Sequence, residues 1–193
     1  MGKYIMSTIY NPTTFSQVMT TSDATGYNSI AWNHENSINT ISAAYTESAL
    51  HTISGMWFEK FLSYTNQLWC TGFNIPVTTD QIAGVELIIE VQRAARIQDS
   101  VIQLTYQGQL IGENYAILAP IITDVNTGNT ISPIQTPDLH VYGSPTDLWG
   151  VSITPEMMAD PSFGVVVAFG SNPMMPHRDI PYLSQVALQI TYA

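Results

Sequence analysis

The clearest pattern in the chain is a two-residue alternation from Val85 to Gln92. Val85, Leu87, Ile89 and Val91 are apolar, and Glu86, Ile88, Glu90 and Gln92 fall between them. Side chains of an extended strand point to opposite faces in turn, so this run predicts a strand with one buried face. The same period returns twice. Ile102, Leu104 and Tyr106 are expected to face inward and Gln103 and Thr105 outward, after a turn at Asp99-Ser100. Val186, Leu188, Ile190 and Tyr192 alternate with Ala187, Gln189 and Thr191 at the end of the chain. Leu68 to Pro76 reads as a strand ended by its proline, Thr78 to Gln81 as a turn, and Gln107-Gly108-Gln109 as a hairpin turn before Leu110 to Gly112.

The stretch from Tyr142 to Phe169 reads as one edge-to-core crossing. A strand ends at His140 to Tyr142, and Gly143-Ser144-Pro145 turns it. Asp147-Leu148-Trp149-Gly150 follows, a large indole between an acceptor and a permissive glycine, and Val151 to Ile153 restarts an extended run. Thr154-Pro155-Glu156 is a helix start, with a hydroxyl cap and proline at the first helical position. That helix must be short, because Asp160 precedes Pro161 and is pushed out of the helical region. Phe163 to Phe169 is apolar at every position, as a central strand covered on both faces would be.

The first third is less legible. Residues 1–26 read as an N-terminal arm or loosely packed leader, with one strand near Tyr4 to Tyr10. Residues 27–193 read as a single domain. Within it, Trp57, Phe58 and Phe61 form an aromatic knot, and 123–138 is a polar excursion. Strands recurring at short spacing without intervening helices predict an all-β fold, a jelly-roll-like antiparallel β-sandwich with one short helix near 154–159.

Composition adds a constraint. Only 10% of the 193 residues are charged and the net charge is −10, so the polar surface is built from amides and hydroxyls. That acidity repels phosphate backbones and argues against nucleic acid. One cysteine, Cys70, leaves no intrachain disulfide and reads as a small buried hydrophobe. No secretory signal and no apolar run long enough for a membrane span occur, so the chain reads as soluble in a reducing cytoplasm.

Candidate chemistry is sparse. His34, His51, His140 and His177 lie in four segments without metal-ligand spacing. Asp124 to Gly128 opens like a calcium loop, but its glycine is misplaced and Gln135 stands where a Glu is needed. Glu86 and Glu90 would lie about 13 Å apart on one strand face, outside either glycosidase geometry. Ser144 and Ser152 lack a nucleophile elbow. No catalytic residue, metal ligand or cofactor is expected.

Phe73-Asn74-Ile75-Pro76, Ile82 to Ile89, Tyr142 to Gly150, Thr154-Pro155, Phe163-Gly164-Val165 and Leu188 to Tyr192 follow one another in an order that resembles a domain widespread in uncharacterised virion proteins of tailed bacteriophages and prophages. They span about residues 67–193. Ser184 stands where that group carries an Asp, and Pro133 to Asp138 replaces a shorter loop. The resemblance implies a non-enzymatic structural subunit of a virion (head decoration, neck, tail or fibre), assembled in the host cytoplasm and bringing no catalytic residues. Its partners would be other virion proteins and copies of itself. Asp147, Trp149, Gly150, Thr154 and Pro155 are then expected to be structural, and Trp57, Phe58, Phe61, Met174 and Met175 to offer adaptable apolar contacts. The alternative is a carbohydrate- or receptor-binding module, with Trp57, Trp69 or Trp149 as stacking platforms for a host-surface glycan.

Overall fold

The computed structural model describes residues 6–18, 29–30, 32–33, 46–48, 64–92, 97–116, 138–171 and 182–193. In chain order the strands are β1 (Met6–Tyr10), β2 (Thr14–Val18), β3 (Ser29–Ile30), β4 (Trp32–Asn33), β5 (Thr46–Ser48), β6 (Tyr64–Thr65) and β7 (Gln67–Thr71). They continue with β8 (Ile82–Gln92), β9 (Ile97–Tyr106), β10 (Gln109–Ile111), β11 (Asp138–Gly143), β12 (Gly164–Ser171) and β13 (Tyr182–Tyr192). Helix α1 (Pro155–Ala159) precedes β12.

Two sheets face each other. The main ladder of the first runs β11–β8–β13–β1, and that of the second β10–β9–β12–β7–β2. The short strands β5 and β4 continue the first sheet beside Leu183, while β6 and β3 continue the second beside Gly170. Among the described residues every pairing is antiparallel except the short β3–β6 contact. Numbering β1 and β7 to β13 consecutively gives the order 1-8-3-6 in one sheet and 2-7-4-5 in the other, which is the strand order of a jelly roll.

Residues 6–18 are one kinked strand shared between the sheets. Met6–Tyr10 pairs with β13, Asn11-Pro12-Thr13 bends the chain, and Thr14–Val18 pairs with β7. Pro12 is buried at the bend, between the two ladders, where its missing N–H costs no ladder bond. Thr13 holds the corner by donating its N–H to Thr71 O at 3.1 Å and its hydroxyl to Gly72 O at 2.8 Å.

The core lies between the sheets and follows the predicted alternation. Val85, Leu87, Ile89, Ile102, Leu104, Leu188 and Ile190 are fully buried. Val165 to Phe169 are buried at every position, as a strand covered on both faces requires. Two breaks in the alternation have a backbone cause. The register of β13 shifts between Leu183 and Gln185, so Leu183 and Val186 both point inward. The register of β9 shifts opposite Ala168 and Phe169, so Asp99 faces in alongside Ile102. Asp99-Ser100 is therefore a bulge inside a strand and not a turn.

Other expectations are corrected. The Leu68 strand stops at Thr71, well before Pro76, because Gly72 and Asn74 take left-handed φ of 68° and 54°. Among the described residues Val151 to Ile153 joins no ladder. Thr105 lies on the outer face yet is fully buried, with its hydroxyl donating to Gln109 O at 2.8 Å across the hairpin. The hairpin turn itself has positive φ at both Gln107 and Gly108, 49° and 73°, the twist that suits two paired strands. The outer carboxylates of β8 are hydrogen-bonded: Glu86 accepts from Gln189 Nε2 at 2.9 Å, and Glu90 from the Ser184 hydroxyl. An Asp at position 184 would set a second carboxylate against Glu90. No helix among the described residues is long and apolar enough to cross a membrane.

Candidate functional site

The Asp147-Leu148-Trp149-Gly150 loop closes one end of the sandwich. Trp149 and Gly150 have φ of 58° and 71°, and Val151 N–H donates to Leu148 O at 3.1 Å, so Leu148 to Val151 form a mirror-image turn. A left-handed backbone is costly for a residue with a Cβ, about 1–2 kcal/mol. Trp149 is held there from every side. Its N–H donates to Asp147 Oδ1 at 2.7 Å, its carbonyl accepts from Glu113 N–H at 2.8 Å, and its indole N–H donates to Val85 O at 2.8 Å. Its ring is fully buried and meets Tyr115 edge-on, with centroids 4.6 Å apart.

Two glycines make this approach possible. A Cβ on Gly143 would run into Val85 O and the Trp149 indole nitrogen, and one on Gly112 would run into Trp149 O. Val85 belongs to the first sheet and Gly112 follows β10 of the second, so one indole and its own main chain tie the two sheets together.

Asp147 is the hub of the loop. Its second carboxylate oxygen accepts from the Tyr115 hydroxyl at 2.8 Å, its carbonyl accepts from Val85 N–H at 2.9 Å, and its N–H donates to Ser144 O at 3.1 Å. The bond to Asp147, with burial and the neighbouring Asp147 and Glu113 charges, pushes the Tyr115 hydroxyl up to about 12. Tyr115 is anchored in turn, its N–H donating to Ile102 O at 2.8 Å, and Asn114 Oδ1 accepts from Ile102 N–H at 2.9 Å.

Thr154 and Pro155 act in the next part of the chain as the start of α1. Thr154 is extended, its hydroxyl accepts from Met157 N–H at 3.2 Å, and Pro155 opens the helix. Hydrogen bonds from its own N–H and from Thr154 hold the Glu156 carboxyl below its ordinary range. Asp160 ends the helix, and the Ser162 hydroxyl and N–H hold its carboxyl low as well. Met158 is the residue of α1 buried in the core.

Asp147, Trp149 and Gly150 thus form one cluster, with Thr154 and Pro155 as a separate cap. Trp57, Phe58, Phe61, Met174 and Met175 lie outside the described residues, as does the Asp124 loop. Trp69 is half-buried on β7, and its indole nitrogen is shielded without a hydrogen-bond partner.

Three participants escaped the sequence reading. Tyr115 sits in a segment without periodicity. Trp32, which is buried, donates its indole N–H to Asn66 O at 2.8 Å and meets Phe169 edge-on at 5.9 Å. Asp99, also buried, accepts from the Tyr142 hydroxyl at 2.9 Å between the two sheets. A charged residue breaking an apolar alternation was the one available signal for Asp99.

Chemically, the cluster is a set of clamps. One Asp147 oxygen is engaged by Trp149 N–H of its own loop and the other by the Tyr115 hydroxyl from the segment after β10. Burial pushes the Cys70 thiol up, which keeps it protonated and inert. Among the described residues no group of three or more His, Cys, Asp or Glu side chains is placed to hold a metal ion. Fold and site together define an all-β jelly-roll sandwich locked at one end by an Asp-Leu-Trp-Gly loop wrapped around one buried indole. No protein-family model, curated protein or solved structure matches the chain.

Proposed function

We propose that the chain is a non-enzymatic structural subunit of a tailed-bacteriophage virion, working through contacts with other virion proteins and with copies of itself. The observation that carries this reading is the use made of Asp147 and Trp149. The residues that most resemble the phage group spend their polar atoms on tying the sheets together, which is the role a load-carrying subunit needs. The jelly roll is an architecture of capsid and lectin domains, in keeping with that role. Charge points the same way. With 15 acidic and 5 basic residues the chain carries a net charge of −10, which suits protein contacts better than nucleic acid. Mass spectrometry of purified particles tests the proposal. The chain should appear at a defined copy number per particle; a chain made in the host but missing from purified particles overturns it.

A second reading, glycan binding, has one observation in its favour. Trp69 is the one described tryptophan that is only half-buried, and its indole N–H has no partner. Binding on a glycan array that Trp69→Ala abolishes, without loss of fold, would favour this reading over the first.

A further inference from the structure

The four outer strands of the two main ladders are unequal. β1 kinks at Pro12 into the other sheet, which carries its edge away from its own ladder. β10 has three residues. β2 has the Trp32 main chain held against it, because the Gln17 amide accepts from Trp32 N–H at 2.7 Å and donates to Trp32 O at 2.8 Å. β11 differs from all three. Its six residues pair with β8 without a register shift, from Asp138↔Val91 to Gly143↔Glu86, and contain no proline, lysine or arginine. Among the described residues nothing pairs with its outer edge. Such an edge presents unpaired N–H and C=O groups, and of the usual safeguards it carries only the charge of Asp138 at its first residue.

The side chains on its outer face are apolar and open to solvent. Leu139 is 58% exposed and Val141 51%. Val141 continues inward through its cross-strand neighbour Ile88 to Ala187, so an apolar row leads from the edge into the sheet. The carboxylates beside this row, Glu86 and Glu90, are engaged by Gln189 and Ser184.

We infer that β11 pairs antiparallel with β11 of a second copy of this chain, on a two-fold axis through His140, joining the two first sheets into one. The inference rests on the homo-oligomer part of the reading above. Self-pairing must keep side chains on the same face, so an axis through His140 sets Leu139 opposite Val141 of the second copy, and Val141 opposite its Leu139. An axis through Val141 would instead leave Leu139 facing Gly143. The first register covers both exposed side chains and is self-complementary, as a two-fold contact requires. Charge favours this seam as well. Two chains of net charge −10 approach with least repulsion across a neutral surface, and Leu139 and Val141 supply one.

Light scattering and site-directed cross-linking test the seam. The purified chain should have twice the 21.3 kDa mass of one copy, and Val141→Lys should return it to one. Position 141 is exposed, so the lysine should leave the melting temperature of the fold itself unchanged; Leu139→Lys serves should Val141→Lys fail to fold. The double variant Leu139→Cys with Val141→Cys should form inter-copy disulfides under mild oxidation, since directly opposed strand residues lie within disulfide reach. Cys70 is buried and should not interfere. An Ile9→Cys variant on β1 should stay uncross-linked. An assembly that survives both lysines overturns the β11 seam and leaves homo-oligomerisation standing. A monomeric wild-type chain overturns both, while particle mass spectrometry decides virion membership independently.

Discussion

The indole N–H of Trp149 donates to the main-chain carbonyl of Val85 at 2.8 Å, and the main chain flanking Trp149 is bonded to both sheets. That carbonyl lies at the buried end of β8, so the bond and the apolar ring act together. Trp149→Ala should therefore cost ~3–5 kcal/mol. Trp149→Phe keeps most of the apolar volume but leaves the Val85 carbonyl unpaired, and should cost ~1–3 kcal/mol. Urea titration of both variants checks the order. Equal losses would mean that the hydrogen bond contributes little.

Tyr115 supplies a spectroscopic reading of the same cluster. Its hydroxyl is pushed up to about 12, first by the bond to Asp147. An exposed tyrosine ionises near ~10. The raised folded value means that its contribution to stability is complete below pH ~10 and is lost as pH rises toward ~12. Asp147→Asn removes the principal cause, so Tyr115 ionisation should move down toward the ordinary value. Phenolate absorbance, with Tyr115→Phe identifying the component, measures it. A transition that stays in place in Asp147→Asn would show that burial, not the carboxylate, sets it.

How much of this was legible follows from how far apart the partners lie. The alternation of Val85 to Val91, the two-faced apolar run at Val165 to Phe169 and the Thr154 cap are local signals, and the structure places a strand, a central strand and a helix there. The bonds that lock the fold are not local. Trp149 meets Val85 64 positions away, and Tyr142 meets Asp99 43 positions away. No periodicity encodes such pairs. Bulges were equally hidden, because a register shift at Ser184 or Ser100 looks in the sequence like a strand end.

Tyr142 and Asp99 form a polar bridge across an otherwise apolar interior. Tyr142→Phe keeps the ring and removes the donor from a buried carboxyl group, which should cost ~1–3 kcal/mol. Asp99→Asn changes the acceptor at the same site, so the two substitutions should not add. A double-mutant cycle should return a coupling of ~0.5–3 kcal/mol. Additive losses would show that each side chain is held by other contacts.

Gln17 does for Trp32 what a neighbouring strand would do. Its amide oxygen accepts from Trp32 N–H at 2.7 Å and from Asn66 Nδ2 at 3.2 Å, while its amide nitrogen donates to Trp32 O at 2.8 Å. Gln17→Met preserves the length of the side chain and removes all three bonds, so it should cost ~1–3 kcal/mol and loosen Trp32 from Phe169. Gln17→Glu is the sharper probe. As a carboxylate it can still accept both bonds, but it cannot donate to Trp32 O and sets negative charge against that carbonyl. Protonated, it regains a donor. The folded state therefore favours the neutral acid, which raises the introduced group's pKa above its unfolded value of ~4.3. Its stabilising contribution is full below that value and is lost as pH rises through the folded one. Measured against Gln17→Met at each pH, Gln17→Glu should gain stability on acidification from neutral pH toward pH ~4. A difference that does not change with pH would mean that the donor to Trp32 O is not what holds this end of the sandwich.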